Sequence, residues 1–411
     1  MSNNSLPENN PVHEDIRKGI RQDFSREVEG FLKAAKLPEA LEFKLDPKNS
    51  QAEPVYFLTG ASFTAYDEIK HGKEPTHAFL QKGDDLYLMN NTSAILKRLL
   101  NDNCRVLLHT RSGVEFTRNL IDNPRVEIIE GDLGEPEILQ SAYKRLAVMS
   151  AEKPISDVSM VLYQSFAQNS GEPFKPMHRE PVEEVERAAN RRIRFVYNMA
   201  AMGYDLLMNR GQQDLKIISL SALAANRASY GLMADAADKV MNELAWKTFH
   251  LEANASTGKP VSVYQINPGI TTACDTYRDP RAMNVVIRES VADGFPMDDD
   301  VLTGAADIPQ LSAYDVAWVS DQLLRTVDGQ NPNMGMTPEI KATLYGGFTP
   351  AELKKRFLAA LEANDDTMVL NTDNLLPEHI MTPGTVYGAL PSPMKKGDYK
   401  RISMTPLGQR F

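Results

Sequence analysis

Between residues 104 and 167 the chain reads "CRVLLHTRS", "GVEFTRNLIDN", "RVEIIEGDL", "GEPEILQSAYKRLAVM" and "DVSMVLYQSFA". Short, β-branched apolar runs alternate there with longer amphipathic ones. Short continuous apolar runs are strands buried on both faces, and strands that alternate with helices must pair in parallel through right-handed crossovers. The rhythm begins at "VYFLTGA" (55–61) and resumes with "NTSAILKRLLNDN", where Thr92 or Ser93 can cap a helix. It runs on through a long helix from about Val182 to Asn209, the strand "LKIISLSA", a second long helix from about Ala234 to Ala253, the strand "VSVYQINPG" and the helix "SAYDVAWVSDQLLRTVDG". The expected fold class is therefore α/β, a doubly wound, mostly parallel sheet of five or six strands covered on both faces.

Three segments fall outside this rhythm. Residues 1–12 read as a disordered tip, and Ile16, Ile20, Phe24, Val28 and Phe31 then recur at helical spacing, so 1–50 form an amino-terminal helical extension. The α/β unit spans 51–330, with an irregular, polar insertion at about 62–90. Residues 331–411 lose the alternation. Only "TPAELKKRFLAALEAN", with Thr349 as cap and Pro350 in the first turn, reads as helix there. This carboxy-terminal extension is expected to cover a substrate cleft or to meet another subunit.

The formal net charge of −10 argues against a nucleic-acid or anionic-membrane binder, because neutralising phosphates needs a basic surface. No run approaches a membrane span, and the polar, acidic start lacks the features of a signal peptide. Cys104 and Cys274 are far apart and have no ligand-spaced partners, and His71, His77 and His178 lie in no metal-binding arrangement. A cytoplasmic protein without a disulfide framework or metal site is expected.

In an open parallel sheet, ligands collect at the carboxyl ends of the strands. The residues that follow successive strands are Thr59, Gly60 and Ala61, then Arg111 and Ser112, Asp132 and Leu133, Ser219 and Ser221, and Pro268 and Gly269. Through "LTGAS", "HTRS", "EGDL", "ISLSA", a lysine-bearing helix, "INPGITT" and "AYDVAWVSDQLL", taken in order over about 54–328, the chain resembles the short-chain dehydrogenase/reductase superfamily. The resemblance implies a Rossmann-like fold and a nicotinamide-dependent oxidoreductase. In that family a tyrosine exchanges the substrate proton, a lysine lowers its pKa and binds the ribose, and a serine positions the carbonyl.

At the cofactor end, the resemblance assigns contacts to Thr59, Gly60, Ala61, Arg111, Ser112, Asp132, Leu133, Lys239, Pro268, Gly269 and Thr272. Of the family's glycines after the first strand only Gly60 remains, so the phosphate cradle must be rebuilt from Ser62, Asn91, Thr92 and Ser93, or be lost. Arg111 can pair with a 2′-phosphate, which favours NADP(H) over NAD(H). Asp132 either faces the adenine or caps the next helix. The proline-glycine turn before Thr272 lets the chain approach the nicotinamide amide.

At the catalytic end, Asp235 stands four residues before Lys239, where most of the family has its tyrosine. Tyr230 stands nine before it, and this interval resembles the enoyl-thioester reductase branches. There the proton donor must reach an enolate oxygen two bonds beyond the carbon that receives hydride. Those branches have a second tyrosine where this chain has Ser221, so carbonyl reduction stays open. The expected catalytic set is Tyr230, Lys239, Ser221 and Asn190, the last as organiser of a relay water. The expected substrate is an enoyl or keto group of an acyl thioester, carried by coenzyme A or acyl carrier protein. A non-catalytic binding module and an isomerase or epimerase with retained cofactor are the other readings. Arg191, Arg192 and Arg194 read as a solvated helix face, a subunit contact or a contact to an acidic carrier. The two long helices resemble the family's dimerising pair, so a homo-oligomer is expected.

Overall fold

The computed structural model of the chain describes residues 26–35, 43–66, 78–111, 113–164, 181–221, 233–268, 313–325, 340–344 and 367–370. In chain order the strands are β1 (Glu53–Leu58), β2 (Phe63–Tyr66), β3 (Phe79–Lys82), β4 (Asp85–Met89), β5 (Arg105–Thr110), β6 (Val126–Glu130), β7 (Ile155–Leu162), β8 (Leu215–Leu220), β9 (Val261–Pro268), β10 (Ile340–Leu344) and β11 (Thr367–Leu370). The helices are α1 (26–34), α2 (Asn91–Asn101), α3 (Val114–Ile121), α4 (Pro136–Glu152), α5 (Val182–Asn209), α6 (Met233–Thr257) and α7 (Ala313–Arg325).

The main sheet has eight strands in the order β6-β5-β1-β7-β8-β9-β10-β11, and every pairing in it is parallel. Two strands wind outward from β1 on one side and four from β7 on the other, so the order reverses between β1 and β7. That is the doubly wound, Rossmann-like arrangement, and sheets of this kind take their ligands at such a reversal. The expected α/β class is met, with more strands than expected.

Alternate residues of each strand feed two separate cores. Phe57, Val158, Met160, Ile217, Val261 and Val263 join α4, α5 and α6 on one face. Leu58, Val106, Leu108, Val161, Ile218 and Ile266 join α2, α3 and α7 on the other. Helix α1 docks on the first face through Val28 and Leu32, with Phe31 edge-on to Tyr197 and Tyr204. Of the expected amino-terminal helix, Val28 and Phe31 lie in α1, whereas Ile16, Ile20 and Phe24 fall outside the described residues.

Two sequence expectations change. The insertion is not irregular throughout: β2, β4 and β3 form a separate antiparallel sheet, with Phe63 paired to Met89 and Phe79 to Leu88. Gly83 and Asp84 make its two-residue hairpin turn, and Gly83 has φ +60°, the conformation such turns require. The tail does not abandon the α/β rhythm either, since β10 pairs with β9 and β11 with β10. The expected helix at 349–364 lies outside the described residues.

Candidate functional site

The site is built on the turn after β1, the amino end of α2, the turns after β5 and β6, and the carboxyl ends of β7, β8 and β9. Thr59 is buried, and its hydroxyl donates to the Tyr163 carbonyl (2.9 Å) while accepting the Tyr163 N–H (2.8 Å). This clamp sews the end of β1 to the end of β7 at the reversal point. Gly60 follows with φ +75°, and a Cβ there would stand 2.5 Å from the Tyr163 carbonyl oxygen, so no other residue fits.

The side chains named for a rebuilt phosphate cradle close this turn instead. Asn90 caps α2 by accepting the Ser93 N–H (2.9 Å), and its amide donates to the Gly60 carbonyl (2.8 Å). Ser93 Oγ accepts the Ser62 N–H (3.0 Å) and donates to the Ser62 carbonyl (2.7 Å), while Thr92 donates to the Thr59 carbonyl (3.1 Å). Of that set, only Asn91 keeps a buried side-chain oxygen without a partner among the described residues.

His109, which sequence spacing did not single out, joins two turns. Its Nε2 lies 2.8 Å from the Gly131 carbonyl, and its Nδ1 accepts the Gly60 N–H at 3.4 Å. The pairing fixes the tautomer, because a carbonyl only accepts and an amide N–H only donates. Burial pushes the ring down to about 4, against the smaller opposing pulls of the Gly131 carbonyl and the Asp132 charge. The signal was its position as an inward residue of β5, in "VLLHT".

Arg111, after β5, is exposed and forms no ion pair among the described residues; Ser112 lies outside them. Asp132 does not cap α4, whose N-cap is Glu135 and receives no side-chain hydrogen bond; it shapes the turn before that helix. Its Oδ1 accepts the Gly134 N–H (2.9 Å) to lead the chain into α4, and its Oδ2 meets Arg191 at 3.3 Å. Leu133 packs into the core, and its carbonyl accepts from Asn198 (2.7 Å).

The catalytic expectations divide. Tyr230, Gly269, Thr272 and Cys274 lie outside the described residues, as does the side chain of Asp235. Pro268 ends β9. Lys239 is buried on α6, with Nζ 3.4 Å from the Gln164 carbonyl, 3.5 Å from Asp238 and 5.9 Å from the centre of the Tyr163 ring. One turn further along α6, Asn242 donates to Ser219 Oγ (2.8 Å). Helix α6 runs opposite to the strands, so Lys239 stands about level with Ser221, two residues beyond Ser219.

Asn190 does not join this group, being exposed on α5. Two residues on, at about 200° around the helix, Arg192 turns inward and is only 2% exposed. It grips Asp238 with two hydrogen bonds (2.8 and 2.6 Å) and donates to the same Gln164 carbonyl that Lys239 approaches (2.9 Å). Arg192 is therefore no solvated surface residue, and sequence periodicity around Phe195 and Val196 could have shown its inward phase. Burial works to raise the Asp238 pKa, but the hydrogen bonds and charge of Arg192, with Lys239 beside it, win and lower it. Breaking such a buried pair costs about 3–5 kcal/mol. The exposed Arg194–Glu135 pair at 3.5 Å is in the class worth about 0–1 kcal/mol.

The end of the sheet also holds polar atoms that bond nothing among the described residues. They are Gln164 Oε1, Ser221 Oγ and both amide atoms of Asn267. Native interiors rarely leave such groups unsatisfied. A polar ligand that enters over these strands fits them.

Fold and site together define a doubly wound α/β protein with a buried lysine and orphaned polar groups at the carboxyl edge of its sheet. No family model and no curated protein matches the chain. Among solved structures it is similar to a 3-oxoacyl-[acyl-carrier protein] reductase from Brucella melitensis in complex with NAD, at 14% identity over 72% of this chain and 98% of the other, with a TM-score of 0.46. It is similar to the NADP-bound form of ElxO at 11% identity, 72% and 98% coverage and a TM-score of 0.46. It is also similar to a short-chain dehydrogenase from Streptomyces avermitilis, at 13% identity, 77% and 96% coverage and a TM-score of 0.44.

Proposed function

We propose that this chain is an NADP(H)-dependent oxidoreductase of short-chain dehydrogenase/reductase type that reduces an enoyl or keto group of a thioester-linked acyl substrate, with NAD(H) as the weaker alternative cofactor. The observation that carries the reading is the convergence of buried Lys239 and orphaned Ser221 at the carboxyl ends of β7 and β8, beside the reversal point where such sheets take dinucleotides.

Bound there, the reduced nicotinamide supplies hydride. Ser221 donates its O–H to the substrate oxygen and holds the reacting carbonyl in place. Tyr230 gives the proton. Lys239 holds the ribose, and its charge favours the ionised form of a phenol nearby, which eases proton transfer. Arg192 and Asp238 keep the lysine in position through the shared Gln164 carbonyl. Arg111 sits after β5, where a 2′-phosphate would meet it. Apolar residues exposed on α5 and α6, among them Ile193, Tyr197, Val240, Leu244 and Leu251, support a homo-oligomer formed through these helices. No described helix is long and apolar enough to cross a membrane, and a cytoplasmic enzyme acting on a coenzyme A or acyl-carrier thioester is the setting proposed.

One observation favours a second reading, a non-catalytic binding module: the Ser62–Ser93 pair closes the turn where the family keeps glycines. Titrating the protein with NADPH and NADH while following nicotinamide fluorescence separates the two. Saturable NADPH binding supports the enzyme, and binding of neither nucleotide refutes it. Given binding, Tyr230→Phe should abolish most turnover of a carbonyl and enoyl-thioester panel with NADPH affinity nearly unchanged.

A further inference from the structure

The orphaned polar atoms form a row. Leu162 pairs with Ser219, and Leu220 with Ile266, whose carbonyl accepts the Ser221 N–H at 2.8 Å. Continued by two and by one residue, that register places Gln164, Ser221 and Asn267 side by side at the ends of β7, β8 and β9. All three face α6. Ser219 bonds Asn242 of that helix, Gln265 Nε2 donates to its Glu243 carbonyl, and residues two apart on a strand share a face.

Asn267 differs from its neighbours in the row. It is fully buried at 0% exposure, and both Nδ2 and Oδ1 lack a partner among the described residues. A buried amide in that state needs one group that accepts and another that donates. A ketone, ester or thioester carbonyl can only accept, and so would leave Oδ1 bare. A primary carboxamide supplies both in one plane, its C=O to Nδ2 and its N–H to Oδ1. A hydroxyl supplies both from a single atom.

We infer that Asn267 binds the carboxamide of the nicotinamide ring by paired amide hydrogen bonds, which leaves Ser221 free for the substrate oxygen. This rests on the proposed cofactor binding. The pairing would hold the ring beside Ser221, so Asn267 is a positioning residue for the cofactor. A substrate or ribose hydroxyl is the competing occupant.

The test uses the full chain with NADPH, NADP and the acetylpyridine analogue of NADP, which keeps the carbonyl and lacks the amide N–H. Asn267→Leu should weaken NADPH about tenfold or more, equivalent to about 1.4 kcal/mol. It should leave the Tm of the free protein unchanged or raised, because the amide it removes bonds nothing there. Wild type should prefer NADP over the analogue about tenfold, and the variant should lose that preference. Unchanged NADPH affinity in the variant, with wild type still binding, overturns the inference and leaves the proposed function standing. A preference for NADP that persists in the variant shows that another group reads the amide N–H and also overturns the inference. A Tm lowered by several degrees shows the amide to be structural and overturns the inference as well. Failure of wild type to bind any of the three nucleotides overturns the inference and the proposed function together.

Discussion

Replacing His109 by Gln should remove a pH dependence that the folded protein owes to one buried ring. Free histidine titrates near 6.5, whereas burial holds this one down to about 4. Below 6.5 the unfolded chain therefore takes up a proton that the folded chain refuses. The stabilising contribution is complete above 6.5 and is lost as pH falls toward 4. At about 1.4 kcal/mol per pH unit, that gap caps the loss at about 3 kcal/mol. Gln retains a donor toward the Gly131 carbonyl but does not titrate. Urea unfolding of wild type and His109→Gln at about pH 7 and about pH 4.5 isolates the effect, because carboxylates titrate in both proteins and cancel. The variant should start less stable yet lose about 2–3 kcal/mol less than wild type over the interval. Parallel losses would refute the neutral, doubly bonded ring.

Asp238→Asn should cost about 3–5 kcal/mol in urea unfolding, because Arg192 is left charged and buried without its carboxylate; a loss below about 1 kcal/mol would show that the pair is solvated. The native Asp238 pKa is lowered, so its contribution is present above the ordinary 3.8 and disappears only as pH falls through the native value. Gly60→Ala should cost at least about 1–2 kcal/mol for the left-handed backbone alone, and more for the approach to Tyr163. Its NADPH affinity should drop with its Tm, and a variant of wild-type stability would mean that the turn can open. Arg111→Ala should weaken NADPH about tenfold, equivalent to about 1.4 kcal/mol, while leaving NADH within twofold or so of wild type. Equal losses for both nucleotides in fluorescence titration would place Arg111 away from a 2′-phosphate.

The strand-helix alternation was readable because each strand of the central sheet is buried on both faces, and the apolar run records that burial directly. Three features did not follow from it. The hairpin of the insertion was marked by Gly83-Asp84 between alternating residues, a turn signal that the surrounding charge obscured. Strands β10 and β11 are four or five residues long, too short for a period-2 pattern to stand out. On α5 the resemblance pointed to Asn190, which is exposed, while Arg192, two residues on, is the one that turns inward. Asn190 and Arg192 are both polar, and only the helix phase, set by packing against α6, decides which of them turns inward. Asn267 gave no signal at all, since its importance lies in partners it lacks, and sequence does not display unmade hydrogen bonds.

Backbone donors that are already engaged show where nucleotide affinity must come from. A glycine-rich turn holds phosphate because its N–H groups are exposed and unused. Here Gly60 N–H goes to His109, Ala61 N–H to the His109 carbonyl, Ser62 N–H to Ser93, and Ser93 and Ala94 N–H to Asn90. These donors are thus taken up within the turn and at the start of α2. Opening them would exchange existing hydrogen bonds for new ones, with a small net gain. On the proposed cofactor, the two ends would then have to carry more of the binding than in a glycine-rich turn, Arg111 at the phosphate-bearing ribose and the Gln164–Ser221–Asn267 row at the nicotinamide. Substitutions at these ends should therefore move NADPH affinity further than removal of a turn side chain such as Ser62→Ala.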